Sequence, residues 1–380
     1  MIPGPIEFTP EVMRAMSMPT TSHVAPAFAD CMGEALERMR DVFLCPGGQP
    51  FIIAGSGTMA IDMAACNVIE PGDNALVINT GYFSDRFAAI LERYGARVTQ
   101  VKAAVGDAPS LEEIEAEIKK ADYKVMTVTH VDTSTAVLTD VKGLAGLCGK
   151  YGILCIVDGV CSVAGEELRQ EAWGVDIVLT ACQKAIGVPP GLALLVASPR
   201  AVETFKKRRT PVGSYYSDWA NWLPIMESYE GRKAAYFGTQ AVNLVWALNV
   251  SLEQIIAEGM DTRFARHRLM SNALKAAMTA LGLRQIPVSP DKAANTLTAP
   301  YFPDGVTGSV LPLIAQAGVI LAGGLLPEIR ETYFRIGHMG VVSGNDIFAT
   351  VGAIETGLAQ AGYRFEPGVG LAAAQAALLP

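Results

Sequence analysis

Lys184 is the only charged side chain between Ile177 and Pro199, directly after the strand-like run DIVLTA. An ammonium in such surroundings is costly. Desolvation lowers a lysine's pKa and exposes the neutral amine, the form that condenses with an aldehyde. The same residues allow a plainer account, a lysine that snorkels from the strand end to water. Context alone leaves both open. Asp158 repeats the pattern, as the only charged residue in Tyr151–Gly165, after the apolar run ILCIV. A carboxylate there can pair with a protonated pyridine nitrogen and keep the ring electron-withdrawing, or it can cap the helix that follows.

A third feature is the run FIIA followed by Gly55-Ser56-Gly57-Thr58 and a helical segment, Met59–Ile69. Glycines let the backbone come close to a ligand, and free N–H groups at a helix start hold a phosphate. Gly55, Gly57 and Ala60 also satisfy the G-x-G-x-x-G/A fingerprint of a NAD-dependent oxidoreductase. That fold wants an acidic residue at the end of the next strand for the ribose, and here the strand ends Ile78-Asn79-Thr80, with Asp73 preceding it. Arg335, in YFRIGHMG, lies on a short strand-like run where its guanidinium fork could clamp a substrate carboxylate. Standing alone it would read as a surface arginine paired with Glu331. The four histidines (His23, His130, His267, His338) have no metal-ligand spacing, and no G-x-S-x-G elbow occurs, so no metal is assigned and hydrolase chemistry is disfavoured.

These residues need a scaffold, and the chain is long enough for one. Its 380 residues are 50% hydrophobic, which suits a large core with a smaller attached domain. A net charge of −8, with no basic run, argues against nucleic acid or an anionic membrane surface as partner. Seven cysteines (Cys31, Cys45, Cys66, Cys148, Cys155, Cys161, Cys182) form no C-x-x-C pair, and several lie in apolar runs, which fits a reducing compartment. MIPGPIEFTP has no basic start or apolar signal core, and no stretch reaches the roughly 18 apolar residues of a membrane span. A soluble, cytoplasmic protein is expected.

Short β-branched runs recur at Ala75–Thr80, Val98–Val101, Val125–His130, Ile153–Asp158 and Val175–Thr180, with helical-period segments between them. Glu70-Pro71-Gly72-Asp73, Tyr94-Gly95-Ala96 and Tyr151-Gly152 punctuate this βαβ rhythm, so a parallel α/β sheet is predicted. Lys184 and Asp158 then fall at carboxyl ends of neighbouring strands, where open α/β sheets place ligands. From about Thr239 the pattern turns helical, through Ala241–Glu258 and Thr262–Leu281, before strand-like runs at Thr296–Tyr301, Val319–Ala322 and Tyr333–Ile336, and it ends in an alanine-rich tail, Leu371–Leu379. Pro211–Gly238 is rich in aromatics yet weakly periodic, either a surface excursion packed on the core or a binding or subunit-contact segment.

Across most of its length the chain resembles class V, fold-type I pyridoxal 5′-phosphate (PLP) enzymes, specifically alanine-glyoxylate aminotransferases and their serine-pyruvate relatives. The resemblance is carried, in order, by PGPI, FIIAGSGT, TGYFSDRFA, VTHVDTSTAVLTD, IVDGVCS, LTACQKAIGVPPGL, LPIMESYEGRKAAYFGT, AGGL and RIGHMG. It implies an α/β fold whose large domain holds a mainly parallel seven-stranded sheet between helices, with a smaller α/β C-terminal domain. The expected division is 1–20 as a segment at the active-site entrance, 21–260 as the large PLP-binding domain and 261–380 as the small domain.

The resemblance further implies roles. Lys184 would form the Schiff base and move protons, Asp158 would bind the pyridine nitrogen, and Gln183 and Thr133 would reach polar atoms of the cofactor. Ser56, Gly57 and Thr58 would hold the phosphate, completed by Tyr236 and Thr239 of a second subunit, hence a homodimer with shared active sites. Arg335 would take the substrate carboxylate, with Gly4, in Pro3-Gly4-Pro5, at the substrate entrance. Phe83 stands where mammalian-type members have the Trp that stacks on the cofactor ring. The implied activity is ping-pong transamination, through pyridoxamine phosphate, between a small amino acid (alanine or serine) and glyoxylate or pyruvate. Serine-glyoxylate, ureidoglycine-glyoxylate and pyridoxamine-pyruvate aminotransferases share these motifs and stay open. Cysteine desulfurase fits less well, because Cys161 and Cys182 sit in predicted core runs rather than on a mobile loop.

Overall fold

In a computed structural model describing residues 1–379, twelve strands appear along the chain. They are β1 (Gln49–Ala54), β2 (Asn74–Asn79), β3 (Arg97–Lys102), β4 (Val125–Thr129), β5 (Val131–Asp132), β6 (Val137–Leu138), β7 (Leu154–Asp158), β8 (Ile177–Ala181), β9 (Leu192–Ala197), β10 (Leu297–Thr298), β11 (Ala322–Gly323) and β12 (Phe334–Gly337). Seven of them form one sheet in the order β1-β9-β8-β7-β4-β2-β3. Strands β3, β2, β4, β7 and β8 pair in parallel, while β9 runs antiparallel to both β8 and β1. Every residue of β4, β7, β8 and β9 is buried, as expected of central strands covered on both faces, whereas edge strand β3 buries none.

The expected parallel strands are all present. The sequence reading did not separate β9 from the apolar stretch after Lys184. It returns along β8 through a tight turn, so the stretch is two strands with the lysine between them.

The buried side chains fall into two cores. One surrounds the large sheet; the other gathers Met270, Leu274, Phe334, Ile336, Ile347, Val351 and Ala374 around the helices Met260–Ala280, Gly344–Gln360 and Val369–Leu378. The alanine-rich tail is thus a helix packed on the first of these. Strands β10, β12 and β11 form a small antiparallel sheet beside it. The chain's first residues span the two cores: Ile6 N donates to Gln183 O at 3.1 Å, and Met1 O accepts from Gly337 N at 3.0 Å.

Pro211–Gly238 is packed on the core over part of its length. It contains a helix, Trp219–Glu230, capped by Asp218 and carrying Pro224 inside it. Trp219, Trp222 and Tyr229 of that helix are core, and Trp219 stacks on Phe51 at 5.1 Å. Tyr215 and Tyr236, at 80% and 67% exposed, are left facing out. Among the described residues no helix is long and apolar enough to cross a membrane.

Candidate active site

The carboxyl ends of β7 and β8 lie side by side, Asp158 opposite Leu179. Gly159 N donates to Leu179 O at 2.8 Å and Thr180 Oγ1 to Gly159 O at 3.1 Å, so the two strand ends are tied together. After Ala181 the chain turns tightly: Gly187 N bonds Lys184 O at 2.8 Å and Val188 N bonds Cys182 O at 2.9 Å. Gly187 takes φ +78°, open to glycine. Cys182 braces the turn from within, its thiol donating to Pro189 O at 3.0 Å and accepting from Leu192 N at 3.3 Å.

Lys184 therefore projects from a rigid turn. Its Nζ donates to Pro3 O of the amino-terminal segment. Burial holds its pKa below the ordinary lysine value, and the cation of Arg335 pushes the same way, against Cys161 and Asp158. Gly4 crosses directly over it. That residue takes φ +100°, and a Cβ there would meet Lys184 Cδ at 2.6 Å.

Asp158 is almost fully buried, and burial, with the like charge of Asp132, pushes its carboxyl up to about 7. Val160 N donates to Oδ1 at 2.9 Å. Among the described residues Oδ2 receives no hydrogen bond, so the group is a carboxyl in want of a cationic N–H. Gln183 Oε1 is likewise buried without a partner.

Ser56 is the N-cap of the helix Gly57–Val68 but makes no capping bond, which leaves the first N–H groups unmet. The helix start lies against the β7 and β8 ends: a Cβ on Gly57 would sit 3.0 Å from Val160 Cγ2 and 3.3 Å from the Ala181 Cβ. Thr58 Oγ1 accepts from Arg86 at 2.8 Å, and the Arg86 guanidinium lies 5.0 Å over the Phe83 ring.

Arg335 reaches the cluster from β12. Its Nε donates to Gly323 O at 2.8 Å and its second nitrogen to Thr133 O at 3.4 Å. It does not pair with Glu331, which bonds Arg330 instead at 3.1 Å, and among the described residues no acidic side chain pairs with it. Lys184, Asp158, Gln183, Thr133, Arg335 and Gly4 are thus linked through direct contacts or adjoining strand ends, and Ser56, Gly57, Thr58 and Phe83 border them. Tyr236 and Thr239 are not brought in. Both are exposed on the loop before the helix Val242–Glu258, where the Tyr236 ring meets that of His23 at 5.4 Å.

Two residues of this neighbourhood escape the sequence reading. Arg86 lies in TGYFSDRFA without an isolating context. Asp132, fully buried, is the only charged residue from Val125 to Thr139, so the criterion that singled out Lys184 and Asp158 applies to it equally. The nicotinamide reading fails at β2, whose terminal Asn79 is occupied, donating to Asp85 and Gln100 at 2.6 Å each.

Comparison with known proteins agrees with the geometry. The family model for aminotransferase class-V matches residues 11–326. An alanine-glyoxylate aminotransferase 1 of Saccharomyces cerevisiae is 40% identical over 359 residues, covering 91% of this chain and 92% of the relative. An L-aspartate-glyoxylate aminotransferase of Paracoccus denitrificans is 32% identical over 381 residues, 98% of this chain and 94% of its own. The crystal structure of ureidoglycine-glyoxylate aminotransferase from Bacillus subtilis superposes with a TM-score of 0.92 at 30% identity, covering 99% of this chain and 97% of that one.

Proposed function

The chain belongs to the class-V aminotransferase family, and from that premise we propose that it moves an amino group between a small amino acid, alanine foremost, and glyoxylate or pyruvate, using pyridoxal 5′-phosphate held at Lys184. The observation that carries this reading is the placement of Lys184 in the turn after β8, beside the β7 end that carries Asp158, with Asp158 Oδ2 and the buried Gln183 Oε1 left without partners among the described residues. Those unmet groups are what a pyridine N–H and further polar atoms of such a cofactor would satisfy. When bound, pyridoxal phosphate supplies an aldehyde that exchanges amines and a protonated ring that draws electrons from the substrate α-carbon.

The chain's own residues do the rest. Asp158 holds the proton of the ring nitrogen, an electrostatic aid that grows with the charge developing in the transition state. Lys184 Nζ, kept below its ordinary pKa by burial, takes and returns the proton at the substrate α-carbon. Arg335, steadied by Gly323 O and Thr133 O and, among the described residues, without an acidic partner, binds the substrate carboxylate. Thr133 and Gln183 would hold polar atoms of the cofactor, Phe83 would stack on its ring, and Ser56, Gly57 and Thr58 would hold its phosphate. Gly4 and Pro3 form the entrance over Lys184.

The same proposal includes a homodimer in which Tyr236 and Thr239 of one copy complete the phosphate site of the other; their exposure supports it. In the proposed division into 1–20, 21–260 and 261–380, the small domain is supported by the second core, whose buried residues all lie between Met270 and Ala374, and a cytoplasmic location by seven buried, unpaired cysteines. The Paracoccus relative makes aspartate a donor to test beside alanine and serine.

Borohydride reduction of the purified protein, followed by peptide mapping, tests the core of this reading. Trapped cofactor on the Lys184 peptide is expected, with a visible band that Lys184→Ala lacks. Transamination by Lys184→Ala at the wild-type rate would overturn the assignment.

A further inference from the structure

One buried turn touches both the residue facing the cofactor ring and the arginine facing the substrate carboxylate. Asp132, at the end of β5, accepts from Ser134 N at 2.9 Å and Ser134 Oγ at 2.6 Å on Oδ1. On Oδ2 it accepts from Phe83 N at 3.1 Å and Ser84 N at 3.4 Å. Phe83 and Ser84 belong to the first turn of the helix Tyr82–Arg93, whose own N-cap, Gly81, has no side chain to offer. Ser134 Oγ accepts from Tyr82 N at 3.0 Å and meets the next free N–H. Asp132 and Ser134 thus cap this helix from a distant segment, with a negative charge where the helix dipole favours one. Close approach is required for this, since a Cβ on Gly81 would lie 2.5 Å from Ser134 Oγ and 2.7 Å from Asp132 Cγ.

The other side of the turn faces β12. Thr133 O accepts from Arg335, and Ser134 O accepts from the Tyr333 hydroxyl, which itself accepts from Leu325 N at 2.8 Å and Leu326 N at 2.9 Å. Within the turn, Thr135 N and Ala136 N both bond Asp132 O, at 3.1 and 2.8 Å, which leaves it little freedom.

We propose that Asp132 is a positioning residue: its carboxylate fixes the helix start that carries Phe83, and the turn it heads fixes Arg335, so that one buried turn sets the spacing between ring face and carboxylate clamp. This rests on the roles given above to Phe83 and Arg335.

The two arms are separable. Asp132→Asn keeps the shape but loses the charge and sets an amide N–H against backbone donors. It is expected to weaken pyridoxal phosphate binding about tenfold and to alter the circular dichroism of the visible band. Tyr333→Phe releases the arginine side, and is expected to raise KM for 2-oxo acids several-fold while the visible dichroism stays wild type. A folded Asp132→Asn protein with wild-type cofactor affinity, dichroism and KM overturns the proposal. Should that variant not fold, Ser134→Ala, which removes the Tyr82 cap, carries the same test with several-fold weaker binding expected and wild-type binding refuting it. Absence of trapped cofactor on wild-type Lys184 would instead sink the functional reading itself, so the two failures are distinct.

Discussion

A carboxyl that burial has pushed up to about 7 from an ordinary 3.8 is an unfavourable charge until a cation meets it. Between about pH 4 and 7 the unfolded chain has lost the Asp158 proton while the folded, cofactor-free chain keeps it. Its contribution to stability therefore falls as pH rises through that window, by on the order of 4 kcal/mol at full extent. A ring N–H bound at Oδ2 offsets that loss. The rise in melting temperature on adding pyridoxal phosphate is thus expected to be larger at pH 8 than at pH 5, and Asp158→Asn should erase most of the difference while lowering kcat by about a hundredfold or more. An Asn variant that keeps the wild-type pH trend would remove Asp158 from the account. Gly4 makes a second test at this scale. Ala there must hold φ +100° and press on Lys184 Cδ, a backbone strain of about 1–2 kcal/mol besides the contact. Gly4→Ala is expected to cost about tenfold or more in kcat/KM with a small change in melting temperature, measured by steady-state kinetics and calorimetry. Unchanged kinetics would mean that the segment does not guard the lysine.

The helix Gly57–Val68 separates two effects that usually travel together. Ser56 caps it without a capping bond, so Ser56→Asp supplies a side-chain acceptor and a charge that suits the dipole. The cofactor-free protein should gain about 0.5–1 kcal/mol, while phosphate affinity falls, because the new carboxylate faces the anion that the helix start would hold. Titration with pyridoxal phosphate and thermal melts read the two signs separately; equal or tighter binding would exclude this helix start as the phosphate site. Elements of this kind were legible in the sequence because glycine and proline punctuation sets off β-branched runs, as at Glu70-Pro71-Gly72-Asp73 before β2. Two were not. β9 merges with β8 into one apolar stretch, since a strand buried on both faces has no alternation to mark its start, and the turn between them holds only one charge, Lys184 itself. The helix Trp219–Glu230 is hidden by Pro224 and by aromatic positions that serve both core and surface. The site was more legible than its support. Asp132 is as isolated in the sequence as Lys184 and Asp158, but its work, holding the backbone N–H of Phe83 49 positions away, is a relation only the fold reveals.

At the scale of the whole molecule, Tyr236 and Thr239 are exposed on the loop before the helix Val242–Glu258, where a second copy of the chain could take them up. In a twofold dimer the same patch serves both subunits reciprocally, so each active site would take Lys184 from one chain and the Tyr236–Thr239 loop from the other. Mixing defective chains tests this. One parent carries Lys184→Ala, the other Tyr236→Ala with Thr239→Val, and each homodimer should have little activity at limiting cofactor. In random reassortment about half of the dimers are mixed, and each mixed dimer has one site with an intact lysine and an intact loop from its partner. Recovery of about a quarter of wild-type activity is therefore expected after co-refolding or co-expression. If the loop served its own chain, no mixed dimer would hold an intact site, and the mixture would stay at the level of its parents.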